Sequence, residues 1–392
     1  MPDQYQNLDG ETAHTLQQNK AQAKKSKLIV IFSLITLLLL IGGGVAAWYF
    51  ITHQKGSTPP ATPDNSGNST TVDIGDDPSK FEKDSRLHKS FYGIAYTPEG
   101  SLMPNCGNKL ENVIRDIQLL SQLTGRIRLY GSDCNQTALV LEAIKQTKVD
   151  MEVYLGNYVV PDDNTPYQRQ RDAIKEAIVT YGPDHVAGIT VGNEFMLNYL
   201  TAHQSKEPNG PIGQQGAAIL KADIDDTRQM VADMKLSKPI LIGTSDAGSF
   251  FNKDVLASVD YGMSNVHAWF ANQTASAAAN WVFNFFDETN VQPASQLPNK
   301  PKMYIAETGW PTKSSDAGNA NNGGSPASTQ TLQTFIDTFV CQANSENVGY
   351  FFFEFCDEKW KDDIYGGVEG WWGLFNGDRT LKEITIPDCA AP

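Results

Sequence analysis

The sequence lacks the short motifs that mark nucleotide and metal sites. It has neither a Gly-x-Gly-x-x-Gly fingerprint nor a Walker sequence, and its five cysteines form no Cys-x-x-Cys pair and no zinc spacing. Nucleotide-dependent and metal-dependent reactions are therefore disfavoured, and no cofactor is expected. No internal repeat is evident beyond an alternation of strand-like and helix-like segments.

Positive charge is also scarce. The 392 residues include 31 Lys and Arg against 45 Asp and Glu, which gives a net charge of −14. A nucleic-acid partner would call for a basic surface, and an anionic wall polymer would be repelled. A neutral polysaccharide is compatible with this balance of charge.

One long hydrophobic run stands out near the N-terminus. Residues 28–51 carry no charge, and about 20 apolar residues suffice to cross a bilayer. Residues 1–27 are polar and end in a lysine cluster, which predicts a disordered cytoplasmic tail. We therefore expect a single-pass signal anchor with the C-terminal part outside the cell membrane. A cleaved signal peptide is the competing interpretation, although its apolar region is normally shorter.

The composition of residues 52–88 is rich in Ser, Thr and Pro, which predicts an extracellular linker. Three Asn-x-Ser/Thr triplets, at Asn68, Asn135 and Asn272, lie on the side predicted to be extracellular and are candidate glycosylation sites. An oxidising compartment would also favour one or two disulfides. We expect a bridge between Cys106 and Cys134, and we expect Cys356 to remain a free buried thiol.

From residue 89 to residue 392, short apolar runs alternate with helical patterns. Such near-continuous apolar strands are typical of a parallel sheet covered on both faces, and eight units in this length predict a (β/α)8 TIM barrel. The predicted strands are 91–96, 126–130, 151–155, 186–191, 240–244, 265–269, 303–306 and 349–353. The predicted helices are 109–123, 137–147, 167–181, 216–234, 275–286 and 329–343, with a short, weakly helical crossover at 253–259.

Two of these strands end in a glutamate. Glu194 follows the fourth strand and Glu307 ends the seventh, so both face the mouth formed by the carboxyl ends of the strands. Paired carboxyl groups at a barrel mouth are typical of glycoside hydrolysis, which needs one neutral and one ionised acid. We predict that Glu194 is the general acid and base and that Glu307 is the nucleophile. A retaining pair would lie about 5–5.5 Å apart, and an inverting pair about 6.5–9.5 Å.

Other polar and aromatic residues near the strand ends are candidate sugar contacts. Asn193 precedes the predicted acid and could hold a sugar 2-hydroxyl, while Tyr96 and Tyr130 follow the first two strands. Trp310 is the best candidate for a stacking platform, because aromatic rings pack on the apolar faces of pyranose rings. His267 is as compatible with a structural role as with a substrate contact.

Several motifs together resemble glycoside hydrolase family 17, the β-1,3-glucanases of plants and fungi, over about residues 91–375. They are Tyr92-Gly93-Ile94, Arg128-Leu129-Tyr130, Val191-Gly192-Asn193-Glu194, Glu307-Thr308-Gly309-Trp310-Pro311 and Trp372-Gly373-Leu374-Phe375. The resemblance implies a barrel fold, a retaining mechanism and the same roles for Glu194 and Glu307. It also implies substrate-site roles for Glu358, Lys361 and Glu369. The anchored layout is similar to that of fungal membrane-bound members.

Three functions are therefore compatible with the sequence. The first is endo-acting hydrolysis of β-1,3-glucan in the fungal cell wall by a membrane-tethered monomer. The second is transfer of the glycosyl group to another glucan through the same covalent intermediate. The third, which the presence of both glutamates disfavours, is a catalytically silent protein that binds the wall.

Overall fold

The computed structural model describes residues 77–392, which fold into an eight-stranded parallel barrel. The strands lie side by side in chain order, and β1 pairs with β8 to close the sheet. This confirms the predicted TIM barrel. The strands are β1 (Gly93–Ala95), β2 (Arg126–Arg128), β3 (Glu152–Asn157), β4 (Val186–Asn193), β5 (Leu241–Ala247), β6 (Tyr261–Asn265), β7 (Lys302–Thr308) and β8 (Tyr350–Phe352).

Helices follow the strands and surround the barrel. They are α1 (Leu110–Leu120), α2 (Gln136–Thr147), α3 (Thr165–Tyr181), α4 (Phe195–Ala202), α5 (Pro211–Asp233), α6 (Lys253–Leu256), α7 (Ala275–Phe286), α8 (Gln292–Ser295), α9 (Thr329–Ser345) and α10 (Lys359–Tyr365). The predicted helices are found close to their predicted positions. The short helices α4, α8 and α10 were not predicted from the sequence.

The local sequence explains where several helices begin. The side chain of Thr274 accepts a hydrogen bond from the backbone N–H of Ala277 at the start of α7. Ser328 caps α9 in the same way through the backbone N–H of Thr331. Helix α5 begins at Pro211, whose fixed φ and missing N–H suit a first helical position.

Aromatic side chains fill the lower part of the barrel interior. The ring of Tyr154 on β3 lies 5.4 Å from that of Tyr261, 5.9 Å from that of Tyr304 and 5.3 Å from that of Phe351. These rings reach across the barrel from β6, β7 and β8, so they form a packed layer rather than a pore. Gly243 makes room for this layer, because a Cβ atom there would lie 2.1 Å from the Tyr261 ring.

The sixth strand differs from its prediction. Residues 265–269 were expected to form it, but β6 spans Tyr261–Asn265, and only Asn265 is shared. The observed strand contains Gly262, Ser264 and Asn265, so it lacks a continuous apolar run. The apolar residues that follow, Val266 and Ala268, are buried in the segment beyond the strand end. Burial, rather than strand pairing, accounts for the hydrophobic pattern that favoured the wrong register.

Two disulfides stabilise segments outside the barrel. Cys106 pairs with Cys134, which confirms the expected bridge between the loops after β1 and β2. Cys341 on α9 pairs with Cys389 in the C-terminal segment. Cys356 is free, as expected, and is partly rather than fully buried.

The predictions for the N-terminal region fall mainly outside the described residues. The tail at 1–27, the anchor at 28–51, the linker up to residue 76 and Asn68 all lie there. The end of the predicted linker contacts α1, where Gln118 donates a hydrogen bond to the Pro78 carbonyl. It also contacts the turn after α1, where Gln122 accepts a hydrogen bond from the Asp84 N–H. Within residues 77–392, no helix is both long enough and apolar enough to span a membrane.

A buried carboxyl group lies between α3 and α5. Asp223 is 3% exposed; its Oδ1 accepts a hydrogen bond from Asn164, and its Oδ2 has no partner. Burial raises the pKa of Asp223 to about 6. Because the pKa is higher in the folded state than in the unfolded state, this group favours folding in acid, and that advantage is lost as the pH rises through about 6.

Replacing Asp223 with Asn should therefore stabilise the fold at pH 7.5. We expect a gain of about 1–3 kcal/mol in the free energy of unfolding at that pH and a much smaller change at pH 4, where Asp223 is already neutral. Denaturant titration at both pH values measures the effect. The exposed Asp225→Asn control should change stability by less than about 0.5 kcal/mol, and destabilisation by Asp223→Asn at pH 7.5 would contradict the burial argument.

Candidate active site

Backbone irregularities re-aim the residues at the carboxyl ends of β4 and β7. Strand β4 has an extra residue between Thr190 and Asn193, and β7 has extra residues opposite Ser264 and Asn265 of β6 and, between Ile305 and Thr308, opposite β8. Such bulges turn side chains away from the regular alternation and are common beside active sites. Asn193, Glu194, Asn265 and Glu307 all lie at or beside these shifts, so the mouth of the barrel is built to present them.

The position of Glu194 is fixed by the neighbouring strand. Its backbone adopts a left-handed conformation with φ of 56°, and its N–H donates to the Ser245 carbonyl at 3.1 Å. The buried carboxylate of Asp246 accepts hydrogen bonds from the backbone N–H groups of Met196 and Leu197 at the start of α4. The turn that carries Glu194 is therefore tied to β5 on both sides.

Arg128 connects the strands that carry the predicted site residues. Its side chain is 1% exposed, and its Nη1 donates to Glu307 Oε1 at 3.0 Å. Its Nη2 donates to Asn193 Oδ1 at 2.6 Å and to Ser245 Oγ at 2.9 Å. One guanidinium thus contacts β4, β5 and β7 from β2 across the interior of the barrel.

Glu307 is held in its ionised form. It is 7% exposed, and its Oε2 lies 3.0 Å from Nε2 of His267. Burial alone would raise the pKa of Glu307, but the hydrogen bond from His267 and the charge of Arg128 outweigh it and lower the pKa to about 2. Since an ionised carboxylate only accepts hydrogen bonds, the proton of this pair belongs to His267 Nε2.

Glu194 is held in its protonated form over a wide pH range. Its Oε1 accepts a hydrogen bond from Asn265 at 3.1 Å. Burial and the negative charge of Glu307 together raise the pKa of Glu194 to about 7. The two glutamates predicted from the sequence therefore share one site, and their environments move their pKa values in opposite directions.

Tyr130 lies against the same group. Its ring packs over the Arg128 guanidinium, with the Cζ atom 4.4 Å from the ring centroid, and its hydroxyl group is buried without a partner. Burial and the charge of Glu307 raise the pKa of Tyr130 well above its usual value. The buried hydroxyl therefore stays neutral beside Glu307.

The two glutamates are flanked by the residues that the family resemblance implied, Glu358, Lys361 and Glu369. Lys361 Nζ lies 2.6 Å from Glu354 Oε2 and 3.0 Å from Glu358 Oε2, and all three side chains are largely buried. Burial raises the pKa of Glu369, with smaller effects from the nearby charges of Lys361, His267 and Glu307. Glu358, Lys361 and Glu369 thus border the same mouth, together with Glu354, to which the sequence assigned no site role.

Two aromatic predictions need correction. Trp310 is fully buried, donates to the Pro326 carbonyl and packs 5.3 Å from the Trp269 ring, so no sugar can stack on it. Tyr96 is 1% exposed, and its hydroxyl donates to buried Asp116, so it does not line the mouth either. Both side chains were assigned from their positions after strands, a pattern that does not reveal which way a ring turns.

One exposed aromatic ring beside the site is that of Phe270, which is 48% exposed. It lies 5.9 Å from the His267 ring and 5.8 Å from the ring of buried Trp372, measured between centroids. Sequence reasoning missed its role, as it missed those of Arg128 and Asn265. The signal available was the cluster of His267, Trp269 and Phe270 after the sixth strand, which the shifted strand prediction obscured.

Among residues 77–392, no group of three or more His, Cys, Asp or Glu side chains is arranged to hold a metal ion.

Two of the predicted glycosylation sites, Asn135 and Asn272, lie in the described region, and both side chains are exposed.

Comparison with known proteins gives consistent matches. A model of the BtgE/BtgC glycoside hydrolase domain matches residues 93–373. The chain is 35% identical over 320 residues to the glucan endo-1,3-beta-glucosidase btgC of Emericella nidulans, covering 77% of this chain and 47% of that protein. It is 36% identical over 320 residues to an Aspergillus flavus protein named "Probable glucan endo-1,3-beta-glucosidase btgC", covering 77% and 44%. The chain thus spans less than half the length of these curated relatives.

A solved structure also matches. The glycoside hydrolase family 17 beta-1,3-glucanosyltransferase from Rhizomucor miehei aligns with a TM-score of 0.60 and 25% identity. The alignment covers 76% of this chain and 98% of that one.

The charge of Glu307 should control the titration of Glu194. Replacing Glu307 with Gln removes a neighbouring negative charge, so the pKa of Glu194 should fall below about 7 while burial keeps it above its usual value. Carboxyl ¹³C chemical shifts followed across pH measure this change. The exposed Glu288→Gln control should leave the Glu194 titration unaltered, and an unchanged or higher pKa in Glu307→Gln would show that the two carboxyl groups do not interact.

Proposed function

Because the chain belongs to the BtgE/BtgC glycoside hydrolase domain family, we propose that it hydrolyses β-1,3-glucan with retention of configuration. The observation that carries this proposal is the difference between two neighbouring carboxyl groups. Glu194 has a pKa of about 7 and so keeps its proton in acid, whereas Glu307 has a pKa of about 2 and is ionised. Glycoside hydrolysis requires this division of protonation between two carboxyl groups. The names of the curated relatives support β-1,3-glucan as the substrate.

In the first step, Glu307 attacks the anomeric carbon while Glu194 gives its proton to the leaving glycosidic oxygen. The carbon–oxygen bond to the leaving sugar breaks, and a glycosyl ester with Glu307 forms. In the second step, Glu194 takes a proton from water, which attacks the same carbon and releases Glu307 as a carboxylate. His267 and Arg128 compensate the charge of Glu307 whenever it is free.

Substrate contacts follow from the same geometry. Asn193 is fixed by Arg128 and Ser245 through its Oδ1, which leaves its amide N–H₂ group to donate to a sugar hydroxyl. Tyr130 offers its hydroxyl beside Glu307, and Phe270 takes the stacking role first assigned to Trp310. Glu358, Lys361 and Glu369 supply further polar contacts at the rim.

Glycosyl transfer is the second candidate, since the structural match is to a beta-1,3-glucanosyltransferase. The covalent intermediate is the same, but a glucan hydroxyl replaces water in the second step. Incubation with a single β-1,3-glucan oligomer distinguishes the two. Shorter products alone indicate hydrolysis, products longer than the starting oligomer indicate transfer, and the absence of any product would favour a silent wall-binding protein.

Replacing Glu194 with Ala should slow cleavage of β-1,3-glucan by about 10²–10⁴-fold, because the leaving group loses its proton donor. In the unmutated protein kcat/KM should fall as the pH rises through about 7, where Glu194 loses its proton. This alkaline limb should be absent from the variant. Azide should restore turnover of an activated aryl oligoglucoside, since it attacks the ester without a general base and yields a β-glycosyl azide.

The exposed Glu288→Ala variant serves as the matched control and should keep the rate and pH profile of the unmutated protein. An α-glycosyl azide from the Glu194 variant, or an alkaline limb that persists in it, would exclude the proposed roles of the two glutamates.

We further propose that residues 28–51 anchor the protein in the cell membrane, with the barrel outside and Asn68, Asn135 and Asn272 available for glycosylation. The lysine cluster before the apolar run supports this orientation. The full chain should resist extraction from membranes by alkaline carbonate, and a variant lacking residues 28–51 should be released. A mature N-terminus located after residue 51 would instead identify a cleaved signal peptide.

A further inference from the structure

A buried lysine in the C-terminal segment contacts the loops that support the active site. The side chain of Lys382 is 4% exposed, and its Nζ lies 2.6 Å from Thr312 Oγ1 and 2.6 Å from Asp357 Oδ1. Thr312 follows β7, and Asp357 follows β8. Lys382 lies beyond residue 373, where the match to the family ends.

Both partners of Lys382 also hold the segment that carries Glu369 and Trp372. Asp357 Oδ1 accepts a hydrogen bond from the Gly373 N–H at 3.0 Å. Thr312 contacts the Trp371 carbonyl twice, through its N–H at 2.9 Å and its hydroxyl at 3.0 Å. The ammonium group therefore joins two segments directly, and through their side chains it is connected to the third.

From this group a short chain of contacts leads to the predicted nucleophile. Trp372 precedes Gly373, and its ring lies 5.0 Å from that of His267. The Trp372 carbonyl also accepts a hydrogen bond from the Glu354 N–H at 3.1 Å. His267 Nε2 lies 3.0 Å from Glu307 Oε2. A shift of the Trp372 segment would therefore move the imidazole that fixes Glu307.

Stability alone does not account for this ion pair. Removing an ammonium and a carboxylate from water costs several kcal/mol for each ion, and well-packed apolar residues would often be at least as stable. Burial lowers the pKa of Lys382 and raises that of Asp357, in keeping with such a cost. What an apolar pair lacks is the set of directional hydrogen bonds by which Lys382 and Asp357 connect Thr312 to Gly373.

We propose that Lys382 is a positioning residue that sets the geometry of Glu307 by joining the segments after β7 and β8 to the segment containing Trp372. The C-terminal segment beyond residue 373 is then a functional part of the active site. This inference rests on the proposed glycosidase function for its kinetic readout. Misplacement of a catalytic group by about 1 Å can cost about 10²-fold in rate, so a large effect on turnover is expected.

The test compares Lys382→Met, Asp357→Asn and the double variant in the full chain, each assayed below its melting temperature. We expect each single variant to lower kcat on β-1,3-glucan about 10–100-fold with KM changed less than about 3-fold. The kcat of the double variant should lie within about 3-fold of the kcat of the single variants, since the pair acts as a unit. The surface Lys221→Met control should keep both constants.

A single variant with a lower melting temperature but an unchanged kcat would overturn the proposal. So would a double variant whose loss of kcat equals the product of the two single losses. A second readout does not depend on activity. The indole ¹H–¹⁵N resonance of Trp372, assigned with Trp372→Phe, should shift in Lys382→Met and not in Lys221→Met. If the unmutated protein proves inactive on glucan, the proposed function fails. The Trp372 resonance then decides the positioning role by itself, and an unshifted signal in Lys382→Met refutes that role.

Discussion

A single buried guanidinium organises the mouth of this barrel. Arg128 is almost fully enclosed, and a charge in that position requires polar partners. Its two terminal nitrogens find them on three other strands, as the carbonyl of Ala306 and the side chains of Glu307, Asn193 and Ser245. Because one side chain bonds all of these groups at once, it holds the strand ends in mutual register. The planar fork of Arg makes this possible, whereas a Lys ammonium would contact fewer of them.

The same group creates the asymmetry on which the proposed chemistry depends. Two glutamates in one site repel each other, so one tends to keep its proton, but repulsion alone does not choose which. Arg128 and His267 both contact Glu307, while Glu194 receives only the neutral amide of Asn265. The guanidinium and the imidazole donor both contact Glu307, so Glu307 ionises and Glu194 remains an acid. The assignment of nucleophile and proton donor thus follows from their neighbours rather than from their positions in the sequence.

The architecture and the pair of glutamates at the barrel mouth were accessible from the sequence, whereas the surrounding groups were not. Glu194 and Glu307 could be found because each directly follows an apolar strand, and parallel strands bring their carboxyl ends to one face. The partners of Arg128 are 65 to 179 residues away from it in the chain, and no local pattern encodes such contacts. Trp310 and Phe270 show the same limit, since exposure of an aromatic ring is decided by distant packing. The error in β6 arose because burial and strand pairing both select apolar residues.

Several ionic groups near the barrel mouth are buried at a cost to stability, and the rest of the fold must offset it. The carboxylates paired with Arg128, Lys361 and Lys382 lie at or beyond the carboxyl ends of β7 and β8, and aromatic rings pack the barrel interior. Rings of this size bury about 150–250 Å² each, so the lower barrel contributes much of the hydrophobic stabilisation. The two ends of the barrel therefore have different tasks. A rigid, apolar lower half allows the upper half to hold charges in fixed positions that would not be stable in a smaller or looser domain.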